Sequence, residues 1–148
     1  MRSCSRATTS FLVDLRSAIF LYSKFPLFGR IRGAVVIIQR DDGFVAVDRS
    51  DGLGLCFPGG NARPWESEEA AVRREAREEA GIALRSLQFK FRFESSVFYP
   101  VTTSVFEGEG EGRSAGSWEG KVLIATLDEL NGRIIPSQRP IVDYLKSL

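Results

Sequence analysis

The 148-residue chain has the length of one ordinary domain, and a domain of this size buries roughly 68–70% of the surface its unfolded form exposes. Its 43% hydrophobic and 26% charged residues are those of a soluble globular protein, and a net charge of +1 gives no electrostatic preference for nucleic acid. Histidine is absent, which removes Ser-His triads, Cys-His pairs, HExxH zinc sites and histidine phosphotransfer, so proton transfer falls to carboxylates or to metal-bound water.

The apolar stretch from Phe11 to Phe28 is broken by Asp14, Arg16, Ser17, Ser23, Lys24 and Pro26, too polar for a membrane-spanning helix of about 20 residues. Ala18 to Tyr22 is also shorter than the roughly 7–15-residue core of a signal peptide. Phe11, Leu12, Leu15, Ile19 and Tyr22 instead have roughly helical spacing. Residues 1–30 are therefore expected to form an N-terminal amphipathic helix and linker, with the main domain over 31–148. Cys4 and Cys56 form neither a CxxC pair nor a disulfide framework, so a cytoplasmic protein with two reduced thiols is expected.

Gly33 to Gln39, rich in β-branched residues, reads as a buried strand. Asp41-Asp42-Gly43 supplies a hairpin turn and Phe44 to Asp48 the partner strand. After a Gly, Asp and Ser-rich stretch and the short run Leu55-Cys56-Phe57, the chain turns at Pro58-Gly59-Gly60. Ser67 is a good N-cap, Glu68 and Glu69 suit the positive end of a helix dipole, and Gly81 can close the helix, which predicts a helix over 68–80.

Downstream, Phe89, Phe91 and Phe93 alternate with Lys90, Arg92 and Glu94, the pattern of a strand with one buried face. Thr102 to Glu107 and Lys121 to Ala125 read as further strands, separated by a Gly-rich acidic loop over 108–117. Leu127-Asp-Glu-Leu130 precedes a short amphipathic helix from Pro140 to Lys146. The order of helices and strands fits an α/β fold, a mixed sheet with helices on its faces.

The predicted helix carries a stripe of small apolar residues, Val72, Ala76 and Ala80, which lets it pack closely on a sheet. That stripe does not explain Glu75, Glu78 and Glu79, which stand at i, i+3 and i+4 and share one face. Like charges so placed cost about 0.2–0.5 kcal/mol per pair unless something positive lies among them. Arg74 and Arg77 are one source of that charge. A hard cation such as Mg²⁺, which takes oxygen ligands, is another. Geometry alone leaves both a solvated face and a metal site open.

The spacing from Gly60 is G-x5-E-x7-R-E-x2-E-E-x-G-I, running through Glu66, Arg74, Glu75, Glu78, Glu79 and Gly81 to Ile82. This is the pattern of the Nudix box, and the chain resembles a Nudix hydrolase. Every charged and glycine position is filled; Ala76 replaces a usually larger aliphatic residue, and Trp65 stands where glycine is common. Arg32-Gly33, Phe57-Pro-Gly-Gly60 and Leu127-Asp-Glu-Leu130 are similar to further family landmarks.

The resemblance implies an α/β/α sandwich with a central mixed β-sheet, to which residues 1–30 add a helix. It implies Mg²⁺ or Mn²⁺ coordinated by Glu75, Glu78 and Glu79, with the Gly59 carbonyl as a further ligand. Glu78, Glu79 and Glu119 are the expected catalytic residues, Glu119 because many members place an extra ligand or base before the corresponding strand. Gly60, Glu66, Arg74 and Gly81 are implied to support the box structurally.

Bound cations neutralise a diphosphate's oxygens and lower the pKa of a coordinated water, so the implied reaction is hydrolysis of a phosphoanhydride in a nucleoside diphosphate linked to another moiety. The implied partner is a small nucleotide; neither nucleic acid nor a membrane span is expected, and a homodimer is compatible with the sequence. Trp65 either stacks on a base or shields its loop; Tyr99 is a further stacking residue, whereas Phe98 and Phe106 suit core packing better. The alternative is a catalytically silent nucleotide-binding module of the same fold, which would be expected to have lost box carboxylates.

Overall fold

A computed structural model describes residues 31–96, 100–112, 116–117 and 120–148. The helix expected within residues 1–30, together with Phe98, Tyr99 and Glu119, lies outside the described residues.

The run read as one strand of a hairpin is two strands in two sheets. β1 (Ile31–Ile37) pairs parallel with β7 (Pro100–Glu111), Val35 opposite Val105, and antiparallel with β5 (Gly59–Asn61). After Ile38, β2 (Gln39–Arg40) pairs with β3 (Gly43–Arg49) in the second sheet. The hairpin therefore keeps a two-residue arm, and its left-handed residue is Asp41, with φ 54°. The reason is burial: Ala34, Val36 and Ile38 fill one core and Val35 and Ile37 the other, so β1 must lie between two covered faces.

Among the described residues the first sheet has the order β5-β1-β7-β6, with β6 spanning Ala83–Ser96, and is mixed because β1 and β7 run parallel. The second joins β2, β3, β9 (Gly120–Ala125) and β8 (Gly116–Ser117), with β4 (Leu55–Cys56) added to β3; its pairings are antiparallel. Helix α1 (Glu68–Ala80) covers one face through Ala71, Val72, Ala76 and Ala80. The other face is covered by α2 (Leu127–Arg133) and α3 (Arg139–Ser147), through Leu130, Ile141, Val142 and Leu145. These layers are the expected α/β/α sandwich.

Two sequence expectations fail on the β6–β7 ribbon. Phe89 does not share a face with Phe91 and Phe93, because a register shift between Phe89 and Phe91 places two steps of β6 opposite one of β7. Phe91 and Phe93 pack beside Tyr144 in one core, while Phe89 is 45% exposed, edge-on to Phe106 and under the Arg92 guanidinium.

Nor is 108–117 all loop. Gly108 to Glu111 continue β7, and Gly110 is required there because a Cβ would stand 2.4 Å from the Ala83 carbonyl oxygen. Arg40 holds this stretch by donating to the carbonyls of Gly110 (2.9 Å) and Gly112 (2.8 Å).

Candidate active site

Local chemistry fixes both ends of α1. The Ser67 hydroxyl accepts from the Ala70 N–H at 3.1 Å, Glu68 and Glu69 occupy the first turn, and Gly81 ends the helix in the left-handed region at φ 66°. The small apolar stripe then seats the helix against β1 and β5. Approach is close enough that a Cβ on Gly60 would lie 2.5 Å from Glu75 Oε1. Gly60 is thus the space into which the Glu75 carboxyl fits.

Arg74 ties the loop between β5 and α1 to the helix. Its Nε donates to Glu66 Oε2 and its Nη2 to Glu66 Oε1, both at 2.9 Å, a bidentate pair. Nη1 donates to Glu75 Oε1 at 2.8 Å and to Glu78 Oε2 at 3.3 Å, and Nη2 also reaches the Asn61 carbonyl at 3.3 Å. The hydrogen bond from Arg74 holds the Glu66 carboxyl below the usual glutamate range, and the same contact holds the Arg74 guanidinium more firmly protonated.

The three metal-ligand candidates are unequal. Glu79 is buried at 7% exposure, the Glu75 side chain is largely buried, and the Glu78 side chain is 56% exposed. Burial pushes the Glu75 carboxyl up, outweighing the pull of Arg74, and the Glu79 carboxyl is its hydrogen-bond neighbour. Two buried carboxyl groups in contact are accommodated by sharing a proton or a cation, and Arg74 donates to Glu75 of the two. The donor set therefore suits a hard, oxygen-seeking divalent ion. Among the described residues, no three acidic side chains already form a metal cage. Arg74 Nη1 draws Glu75 and Glu78 toward itself, so the residues fit the ion in type while two of the carboxylates face the guanidinium.

Gly59 lies on β5 opposite Val35, next to Gly60. Trp65 is 79% exposed. Glu66 faces inward to Arg74 from the neighbouring position. Phe106 is buried, as core packing requires.

Sequence reading missed three residues that hold this region. Arg32 Nη2 donates to the carbonyls of Arg63 (3.2 Å) and Glu66 (2.9 Å). Gln138 Oε1 accepts from the Phe57 N–H at 2.8 Å, just before the Pro58-Gly59-Gly60 turn. Arg40 clamps the far end of β7. Arg32 carried a signal as part of a family landmark; Gln138 and Arg40 carried none, because each acts on main chain distant in sequence.

Comparison with known proteins agrees with this geometry. The NUDIX domain family model matches residues 29–145. The chain therefore belongs to the Nudix family, and it is a Nudix hydrolase, an enzyme of the class that hydrolyses pyrophosphate bonds and generally uses a divalent metal.

Among solved structures, the E. coli ORF135 protein superposes with a TM-score of 0.70 at 23% identity, over 80% of this chain and 90% of that one. A MutT protein from Methanosarcina mazei Go1 gives 0.69 at 22%, over 80% and 94%. A UDP-X diphosphatase gives 0.66 at 17%, over 80% and 63%. These likenesses establish the fold. A comparison with curated proteins gave no match. Among the described residues, no helix is long and apolar enough to cross a membrane.

Proposed function

We propose that the chain hydrolyses a phosphoanhydride bond in a nucleoside diphosphate linked to another moiety, with Mg²⁺ or Mn²⁺ held by Glu75, Glu78, Glu79 and the Gly59 carbonyl. The observation that carries this reading is the buried Glu75 carboxyl seated against Gly60, with the buried Glu79 one turn further along the same helix and Glu78 beside it, an oxygen-rich set that suits a hard cation. When bound, the ion neutralises phosphate oxygens and makes water a better nucleophile.

The chain's residues do the rest. Arg74 and Glu66 keep the helix and the loop in register, so the carboxylates present their oxygens from one face. Water oxygen attacks phosphorus, the bridging P–O bond breaks, and the bridging oxygen leaves with the departing phosphate. The water proton passes to a carboxylate oxygen of Glu78 or Glu79, or of Glu119, which precedes β9 in the chain. Trp65 and Tyr99 are the residues proposed to meet the non-phosphate part of the substrate.

The purified chain with Mg²⁺ should release phosphate or pyrophosphate from some member of a panel of nucleoside triphosphates and nucleotide-sugar compounds. Glu79→Gln keeps the size of the buried side chain and should abolish release while the circular dichroism spectrum is unchanged. Wild-type turnover in that variant, or no turnover of any panel member, would refute the reading. Nucleotide binding without turnover would favour the silent module.

A further inference from the structure

Arg32 sits on β1, far in sequence from the loop that ends in Glu66, yet three hydrogen bonds join the two. Its Nη2 donates to the Arg63 and Glu66 carbonyls, and its own carbonyl accepts from the Ala62 N–H at 2.8 Å. The Glu66 N–H in turn donates to the Arg63 carbonyl at 2.9 Å, and Glu66 Oε1 also accepts from the Arg63 N–H at 3.1 Å. The turn is closed on itself, and Arg32 pins it from the β1 side while Arg74 pins it from the helix side.

The contacts run in series. Arg32 fixes the main chain of Glu66, the Glu66 carboxylate fixes the Arg74 fork, and Arg74 Nη1 fixes the Glu75 and Glu78 carboxylates. If Glu66 shifts, the fork must follow, because a bidentate pair tolerates little displacement. We infer that Arg32 is a positioning residue for the metal-binding carboxylates, acting through the loop and Arg74. The inference rests on the proposed metal site.

The chemistry of the two arginines differs in a testable way. Arg74 needs its planar fork to meet two carboxylate oxygens, which lysine cannot reproduce. Arg32 serves both carbonyls with one nitrogen, a task that a lysine ammonium can perform.

The test is Mn²⁺ binding without substrate, followed by electron paramagnetic resonance of the free ion, on the full chain and its variants. Loss of an outer-shell contact weakens metal affinity by about 10–100-fold. Arg32→Ala should bind Mn²⁺ about tenfold more weakly, Arg32→Lys should recover most of that loss, and Arg74→Lys should not recover. Arg139→Ala, which removes contacts to Asn131 on the opposite side of the sheet, serves as the control: it should lower the melting temperature and leave Mn²⁺ affinity unchanged.

Wild-type Mn²⁺ affinity in folded Arg32→Ala overturns the inference. Should that variant fail to fold, Arg32→Gln, whose amide reaches less far, must show the weakened binding instead, and wild-type affinity there overturns it equally. Absence of Mn²⁺ binding by the wild-type chain overturns the functional reading, and the inference with it.

Discussion

The two faces of the first sheet are covered in opposite ways. On one face α1 contributes Ala71, Val72, Ala76 and Ala80, and on the other α2 and α3 contribute Leu130, Ile141, Val142 and Leu145. Small residues bury little area, but they let α1 approach until Glu75 fits against Gly60. Large residues bury more, at roughly 1.5–3 kcal/mol per side chain, and hold the opposite face by apolar packing. One face therefore positions chemistry, while the other mainly supplies stability.

This division predicts separable losses. Leu130→Ala should lower unfolding free energy by about 2–5 kcal/mol, measured by denaturant titration, yet leave turnover of the folded enzyme intact. A matching loss of kcat/KM would break the division.

Gly60→Ala should do the reverse. Its Cβ displaces the end of a flexible side chain, so the fold should survive while the Glu75 carboxyl moves, and kcat/KM should fall by about 10–100-fold. A cooperative melt near that of the wild type, recorded beside the kinetics, distinguishes displacement from unfolding.

The Glu66–Arg74 pair joins loop to helix, and acid should dissolve it. Glu66 titrates lower in the folded chain than in the unfolded one, so its stabilisation is complete above the ordinary glutamate range and is lost as pH falls through the depressed folded value. Between about pH 5 and pH 3 the wild type should lose on the order of 1 kcal/mol more stability than Glu66→Gln. Parallel pH profiles of the two proteins would contradict this.

The smallest expected effect belongs to Arg40→Ala. Removing its hydrogen bonds to the Gly110 and Gly112 carbonyls should cost about 0.5–1.5 kcal/mol and speed hydrogen exchange at the end of β7, with kcat unchanged.

How much was legible before folding follows from the range of each interaction. Ser67, Glu68, Glu69 and Gly81 act within about one turn of the helix they bound, so the sequence determined α1 from Glu68 to Ala80. The periodicity of Val72, Ala76 and Ala80 and the one-sided glutamates are also properties of a single helix, and the box spacing marked the family without coordinates.

Tertiary structure decided the rest. The division of Ile31 to Arg40 between two sheets follows from parallel pairing with β7, whose residues are remote in sequence. Phe89 changes face because of one register shift, which no alternation of residue types reveals. Glu79 is buried and Glu78 exposed although both sit on the same helix, because the sheet covers part of that face. Arg32, Arg40 and Gln138 hold main-chain groups of distant segments, and main-chain groups are alike at every residue. A side chain that binds them leaves no pairing signature in the sequence, so its partner appears only when the fold brings the two together.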